Sequence, residues 1–532
     1  MTARTARGVA AATLAAALIT GTAACSHPAA AGADSAVVGI ATEPESLSPL
    51  LGYGKDGNSK IFDGLLTHDA DMRLKPALAE ALPEVSADGL TYTYTLRRGV
   101  KFSDGAPFSA EDVAFTYRTI LDAKTNNASK TELDAIAGVE ARGGDTVVFT
   151  LKYPYAPFAE RTVLPIAPEH IAGRQDVNSG DFTTRPVGTG PYLLTGWSKG
   201  EKLSFTANPG YWGGEPAVKK FTMAVIKDDD VRATRLRSGE LDAAILPPNL
   251  ARALGDQHGT GDKARRTYAA KTFDYRTVTL PTHHAVTGDV AVRQALDIAV
   301  DRGAMVDKLL DGAGKPAYGP VPTGSPWFAA GTERPYDLDR AKRILDDAGW
   351  KAGEDGIRVK DGVRASFPLW YTSGDKIRQD HALAFASDAK KAGIEVKAEA
   401  GTWEVIEPRM KTEAVLAGGG SPADPDFDQY QLLTSALGGD GFNNMARYAN
   451  PAVDSALVDG RRSGDQAARR AAYDTVQREL VKNPGYVFLT HIDHVYVVDD
   501  RWEGLTTQVE PHDHGLGSGP WWNVESWKPK QK

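Results

Sequence analysis

Cysteine is the scarcest residue in this 532-residue chain, which carries Cys25 and no other. An intramolecular disulfide is therefore excluded, and stability must come from packing in an interior of ordinary hydrophobic content, 42% of the residues. A single core of this size is unusual, so two or three lobes are expected. Strong charge of one sign is lacking too. Lysine and arginine number 61 against 69 aspartates and glutamates, a net charge of -8 that gives nucleic acid no basic surface to follow. The Ala-rich run Val9 to Ile19 covers about 11 positions, too few for a resident membrane helix. No Gly-x-Ser-x-Gly elbow stands on a strand-to-helix turn and no His-Glu-x-x-His occurs, so a hydrolase is the disfavoured class and no catalytic residue is assigned. The glycine cluster Pro186-Val187-Gly188-Thr189-Gly190-Pro191-Tyr192 has no Lys-Ser/Thr to close a phosphate loop, and Pro191 blocks the helix that would follow. It reads instead as a tight strand crossing between lobes where backbones approach closely, and no cofactor is called for.

What is present begins with location. Arg4 and Arg7 precede the apolar run, and Thr22-Ala23-Ala24 place small residues ahead of Cys25. The segment resembles a bacterial lipoprotein signal, with Thr22 where that pattern usually has Leu. The resemblance implies removal of residues 1–24 and diacylation of the Cys25 thiol, two chains giving durable attachment to the lipid bilayer at the extracytoplasmic face of the cell membrane. Residues 25–35, rich in Ala, Gly and Pro, read as a flexible tether.

The body alternates strand and helix signals. Ala36 to Ile40 is a short apolar strand that delivers Thr42 and Glu43 into a loop at Pro44. Tyr92 to Leu96 alternates as a half-buried strand, and Ser109 with Asp112 forms a capping box for a helix through Leu121. Lys220 to Ile226, Asp229 to Leu236 and Leu241 to Leu246 form a strand, helix, strand unit. Asp289, Asp301, Asp337 and Asp465 cap later helices, and glycines such as Gly349 and Gly393 end them. The tryptophan-rich end, with Trp521, Trp522 and Trp527, is expected to return and pack on the first lobe, because free tryptophans in a tail are costly.

Several blocks in order carry a more specific resemblance: Leu74-Lys75-Pro76-Ala77-Leu78-Ala79-Glu80, Arg98 to Tyr117, Val187 to Trp212, Val292-Arg293-Gln294-Ala295-Leu296, and Asp339-Arg340-Ala341 through Gly349-Trp350. Together they look like family 5 extracellular solute-binding proteins, the peptide, oligopeptide and nickel receptors of ABC importers. The resemblance implies an α/β, two-lobed periplasmic-binding-protein-like fold with an extra domain, its lobes joined by a hinge. Lobe I would combine 36–75, 186–281 and 495–532, the extra domain would occupy 76–185, and lobe II 282–494. A solute held between the lobes would favour the closed state. The implied partners are a peptide or peptide-like solute and a membrane-embedded ABC permease, with the receptor a monomer that binds no nucleic acid.

Where this chain runs from Gly418 to Asp426, peptide-binding relatives commonly have a tryptophan followed closely by Ala-Asp-Tyr and then Asp-Pro, and the earlier aspartate receives the peptide's α-ammonium. If Asp424-Pro425 is that pair, the position is Ser421, which carries no charge. Asp424 or Asp426 restores the role if either reaches inward, and each reads equally well as a loop cap. Gly418-Gly419-Gly420 offer backbone donors and acceptors to an extended ligand, and space where relatives have tryptophan. Lining residues implied by the resemblance are Thr42, Glu43, Tyr371, Trp403, Arg409, Gly420, Ser421, Asp424 and Asn443. A nickel or other metal chelate, or another non-peptide solute, is the alternative ligand, the metal raised by His491-x-Asp493-His494 and His512-x-His514 among 11 histidines. His494 is expected to point away from His491 and Asp493 along a strand, so no metal ligands are assigned.

Overall fold

The computed structural model describes residues 34–127, 129–255, 264–512 and 519–530. Cys25, the signal segment, the tether as far as residue 33, and His514 lie outside the described residues.

Two mixed sheets organise the chain into two lobes. The first has seven strands in the order Arg265–Ala270, His494–Asp499, Ala243–Leu246, Ser35–Ile40, Lys220–Val225, Lys202–Ala207 and Tyr192–Ser198. Ser35–Ile40 lies at its centre because it is apolar enough to be covered on both faces, and it pairs in parallel with a strand on each side. The helix Asp229–Ser238 makes the crossover between two of these strands. Asp228 caps it by accepting from the Val231 N–H, and Gly239 ends it at φ +87°.

The second lobe carries six strands in the order Gly314–Pro316, Tyr486–Ile492, Tyr275–Thr279, Ala414–Gly419, Ser366–Thr372 and Glu395–Gly401. Its helices start on aspartate or asparagine caps: Asp289, Asp301, Asp337, Asp375, Asp424, Asn450 and Asp465 each accept a backbone N–H from their own first turn. The helix Lys376–Lys391 starts where Asp375 supplies the cap.

One expected boundary moves. Tyr275–Thr279, placed with lobe I by the 186–281 segment, pairs with Ala414–Gly419 and Tyr486–Ile492 in the lobe II sheet. The chain crosses earlier, between Ala270 and Tyr275, and returns between Ile492 and His494. The two crossings are bonded to each other: Thr272 Oγ1 donates to the Ile492 carbonyl at 2.5 Å, and the Ile492 N–H donates to the Asp274 carbonyl at 2.8 Å. Glu510 bridges them further, exchanging backbone bonds with Phe273 and Lys271 at 2.8 and 2.9 Å.

The four strands Glu84–Val85, Thr91–Thr95, Thr146–Leu151 and Ile136–Arg142 form a separate sheet backed by the helix Ala110–Leu121. Ser109 and Asp112 close the expected capping box, and Tyr117 meets Phe149 edge-on at 4.8 Å. The glycine cluster at 188–190 is a close backbone approach, but within this half of the molecule and not between lobes. A Cβ on Gly188 would lie 2.1 Å from the Ile61 carbonyl, and the Gly190 N–H donates to that carbonyl at 2.8 Å. The C-terminal segment folds back on lobe I, where Trp521 stacks edge-on with Tyr496 at 5.1 Å and Trp527 packs against Trp502.

Candidate functional site

Between the lobes lies a cavity of about 610 Å³. Lobe I lines it with Pro44 to Ser46 and Leu51 to Asp56, the extra domain with Asn126, Glu132 and Arg161, and lobe II with Gly419 to Ser421, Phe427, Asp428 and Gln431. A side chamber of about 350 Å³ opens beside it and shares Gly419, Asp428, Gln431 and His512 as its walls.

The extra domain reaches across to lobe II along one edge. The Tyr155 hydroxyl donates to Asp426 at 2.9 Å, while Arg461 and Tyr473 of lobe II donate to the same buried carboxylate at 3.2 and 3.4 Å. The Arg161 guanidinium lies 3.4 Å from the centre of the Phe427 ring, and Arg462 sits over Tyr153. On the lobe I wall Lys55 pairs with Asp56 at 3.0 Å and with Glu132 at 3.4 Å, and Glu132 also takes Arg161. Two cations and two carboxylates there balance one another.

Asp428 is different. It stands one turn into the helix Pro425–Leu433, facing both chambers, and its Oδ2 accepts the Ser421 N–H at 2.6 Å. Among the described residues no lysine, arginine or histidine lies within ion-pair distance of it. Burial pushes its carboxyl up to about 7, against the Ser421 and Gly420 N–H groups and, at longer range, the Lys55 ammonium, all of which favour the ionised form.

The residues implied from sequence divide sharply. Gly420 and Ser421 line the main cavity, and Trp403 and Asn443 line the side chamber. The others are turned elsewhere. Glu43 accepts from the Trp197 indole at 2.9 Å and the Gly200 N–H at 2.7 Å, holding the loop that carries exposed Thr42 beside the cleft. Tyr371 is packed in the lobe II core, and Arg409 lies over Trp370, 5.1 Å from the ring centre. Asp424 does not reach inward: it caps its helix and makes a two-oxygen pair with Arg469 at 2.7 and 2.8 Å. Asp426 is spent on the extra-domain contact.

The triple glycine also has another cause. Gly418 and Gly419 lie against Arg276 and Tyr275, where a Cβ would meet the Arg276 guanidinium at 3.0 Å and the Tyr275 hydroxyl at 2.4 Å. Gly420, at φ +138°, would bring a Cβ 2.0 Å from the Phe273 carbonyl, and its own carbonyl accepts the His512 N–H at 2.7 Å. The crossing segment lies directly against these glycines, so they fit the floor of the cleft to the hinge.

At the hinge, His494 bridges Glu510 at 2.6 Å and Asp274 at 3.1 Å, and His512 approaches Asp274 at 2.7 Å. Arg276 also pairs with Asp274. Burial alone would lower His494, but the bonds to the two carboxylates carry it up to about 10, so the imidazole stays charged. His491 faces the other way, edge-on to Tyr275 with ring centres 6.1 Å apart. Within the described residues, His494 and His512 both engage carboxylates at the crossing.

The chain matches the bacterial extracellular solute-binding proteins, family 5, over residues 73–452. It belongs to that family. Protein XP55 of Streptomyces lividans is 68% identical over 478 residues, covering 90% of this chain and 87% of that protein. The oligopeptide-binding protein AppA of Bacillus subtilis is 28% identical over 91% of each chain. Among solved structures, NikZ of Campylobacter jejuni in complex with Ni(L-His) superposes with a TM-score of 0.84 at 30% identity, over 93% of this chain and 99% of that one. The AppA structure with a nonapeptide gives 0.80 at 26% identity, over 93% and 99%. Like these family 5 structures, the chain is a two-lobed α/β protein. No helix among the described residues is long and apolar enough to cross a membrane.

Proposed function

We propose that this family 5 protein is the extracytoplasmic receptor of an ABC importer, that it captures peptides or peptide-like amides bearing a free amine, and that it works as a monomer held to the membrane through acylated Cys25. Asp428 carries the substrate reading. A carboxylate aimed into the cleft without an ion-pair partner among the described residues is costly, and a ligand ammonium would relieve that cost. Ser421, which replaces the aspartate expected at that point, uses its backbone N–H to aim Asp428. The AppA relative, named for oligopeptide binding, supports a ligand of this class. The cavity is of the size that encloses small ligands.

Native mass spectrometry with a mixed tripeptide pool, followed by calorimetry, tests the proposal. Free-amine peptides bind, Asp428→Asn weakens them ~10- to 100-fold, as for a lost charge-assisted contact, and N-acetylated peptides bind weakly to both proteins. No turnover of the pool is expected. Binding of a nickel–histidine chelate, a sugar or an opine with no peptide binding refutes the substrate class. A mature N-terminus other than a lipid-modified Cys25, read by mass spectrometry, refutes the anchor.

A further inference from the structure

The side chamber has a polar side, with Asn443, His512 and the Arg378 that pairs with Asp375, and an apolar side. Its outer wall is Trp403 and Phe442, edge to face with ring centres 5.2 Å apart, and behind them lie Met445 and Leu432. Met445 belongs to a small apolar cluster with Ile406, Met410, Val415 and Ala417, which holds that wall in place. Phe442 is 53% exposed, among the most exposed large apolar side chains described, and it faces this chamber. An aromatic ring left open to water on the wall of a cleft is an unfilled contact. The volume of about 350 Å³ is ample, since a cavity of about 150 Å³ already admits a benzene ring.

Asp428 stands where the two chambers meet. We infer that the side chamber is a specificity pocket for a bulky aromatic or thioether group carried directly beside the ligand's cationic group, which for a peptide is the side chain of its first residue. The inference rests on the assignment of the ligand ammonium to Asp428. With that group fixed, the first side chain enters the Trp403–Phe442 chamber and the remainder of the ligand runs into the main cavity between the lobes. Met445 adds a polarizable sulfur that adapts to aromatic or thioether shapes.

Calorimetry on the mature protein with Phe-Ala-Ala, Trp-Ala-Ala, Met-Ala-Ala, Asp-Ala-Ala and Ala-Ala-Ala reads this directly. The first three bind ~10- to 100-fold more tightly than Ala-Ala-Ala, the gain for burying a large apolar side chain, and Asp-Ala-Ala binds more weakly than Ala-Ala-Ala. In Phe442→Ala the ratio of Phe-Ala-Ala to Ala-Ala-Ala affinities falls at least ~5-fold, since an exposed ring is removed without loss of core. Trp403→Leu gives a second reading of the same ratio. Equal affinities across the series, or a ratio untouched in both variants, overturn the pocket while leaving peptide binding intact. Failure of every peptide to bind overturns the pocket and the proposed substrate class together.

Discussion

Replacing Tyr155 by Phe removes one hydroxyl and tests how the cleft is held shut. That hydroxyl belongs to the extra domain, and the Asp426 carboxylate it contacts at 2.9 Å belongs to lobe II. A hydrogen bond to a charged group contributes ~1.5–3 kcal/mol. When the lobes part, both groups regain water, and Asp426 keeps Arg461 at 3.2 Å and Tyr473 at 3.4 Å. The difference specific to closure is therefore nearer ~1–2 kcal/mol, or ~5- to 30-fold in the closing equilibrium. A ligand that engages both lobes binds the closed form, so the same factor appears in its Kd when the free protein is mostly open. The phenyl ring stays in its buried site, and the unfolding midpoint should move less than the affinity does. Calorimetry with a bound peptide gives the Kd, and small-angle scattering of the free and liganded protein gives the lobe separation. An unchanged Kd together with unchanged scattering of the ligand-free protein would refute the role of this contact in closure.

Two other outcomes follow from the ion pairs. Asp424→Asn breaks the buried pair with Arg469 but keeps an oxygen to cap the helix, so unfolding in urea should show a loss of ~2–4 kcal/mol with peptide affinity unchanged; lost affinity at full stability would return Asp424 to the cleft. His494 is raised from 6.5 to about 10, so its stabilising contribution is complete below pH 6.5 and drains away as pH rises towards 10. Melting temperature should fall across that interval, and His494→Gln should lower the neutral-pH value and flatten the alkaline slope; an equally steep slope in the variant would assign it to other groups.

Local signals carried far in this chain because they report on chemistry between near neighbours. Asp289, Asp301, Asp337 and Asp465 read as caps and are caps, since a cap needs only its own first turn. The Ser109 and Asp112 box, the strand at 36–40 and the packing of Trp521 and Trp527 follow from the same short-range or compositional logic. Ordered blocks spread along the chain pointed to the family, and with it to the two-lobed fold.

The cleft was legible only in part. Trp403, Gly420, Ser421 and Asn443 reach it, whereas Tyr371, Arg409 and Asp424 turn to core, ring and arginine partners far away in sequence. Asp428 escaped notice because it looks like any helix-face aspartate. Its spacing of i+4 from the cap is the one local hint that it lies near the Asp424 side of the helix. Caps, the strand at 36–40, the family resemblance and the single thiol at Cys25 are all written in the order of residues, because each depends on neighbours or on pattern. Which aspartate is paired and which faces the cleft depends on Arg469, Tyr155 and Arg461 arriving from distant segments, and that is fixed by the folded chain alone.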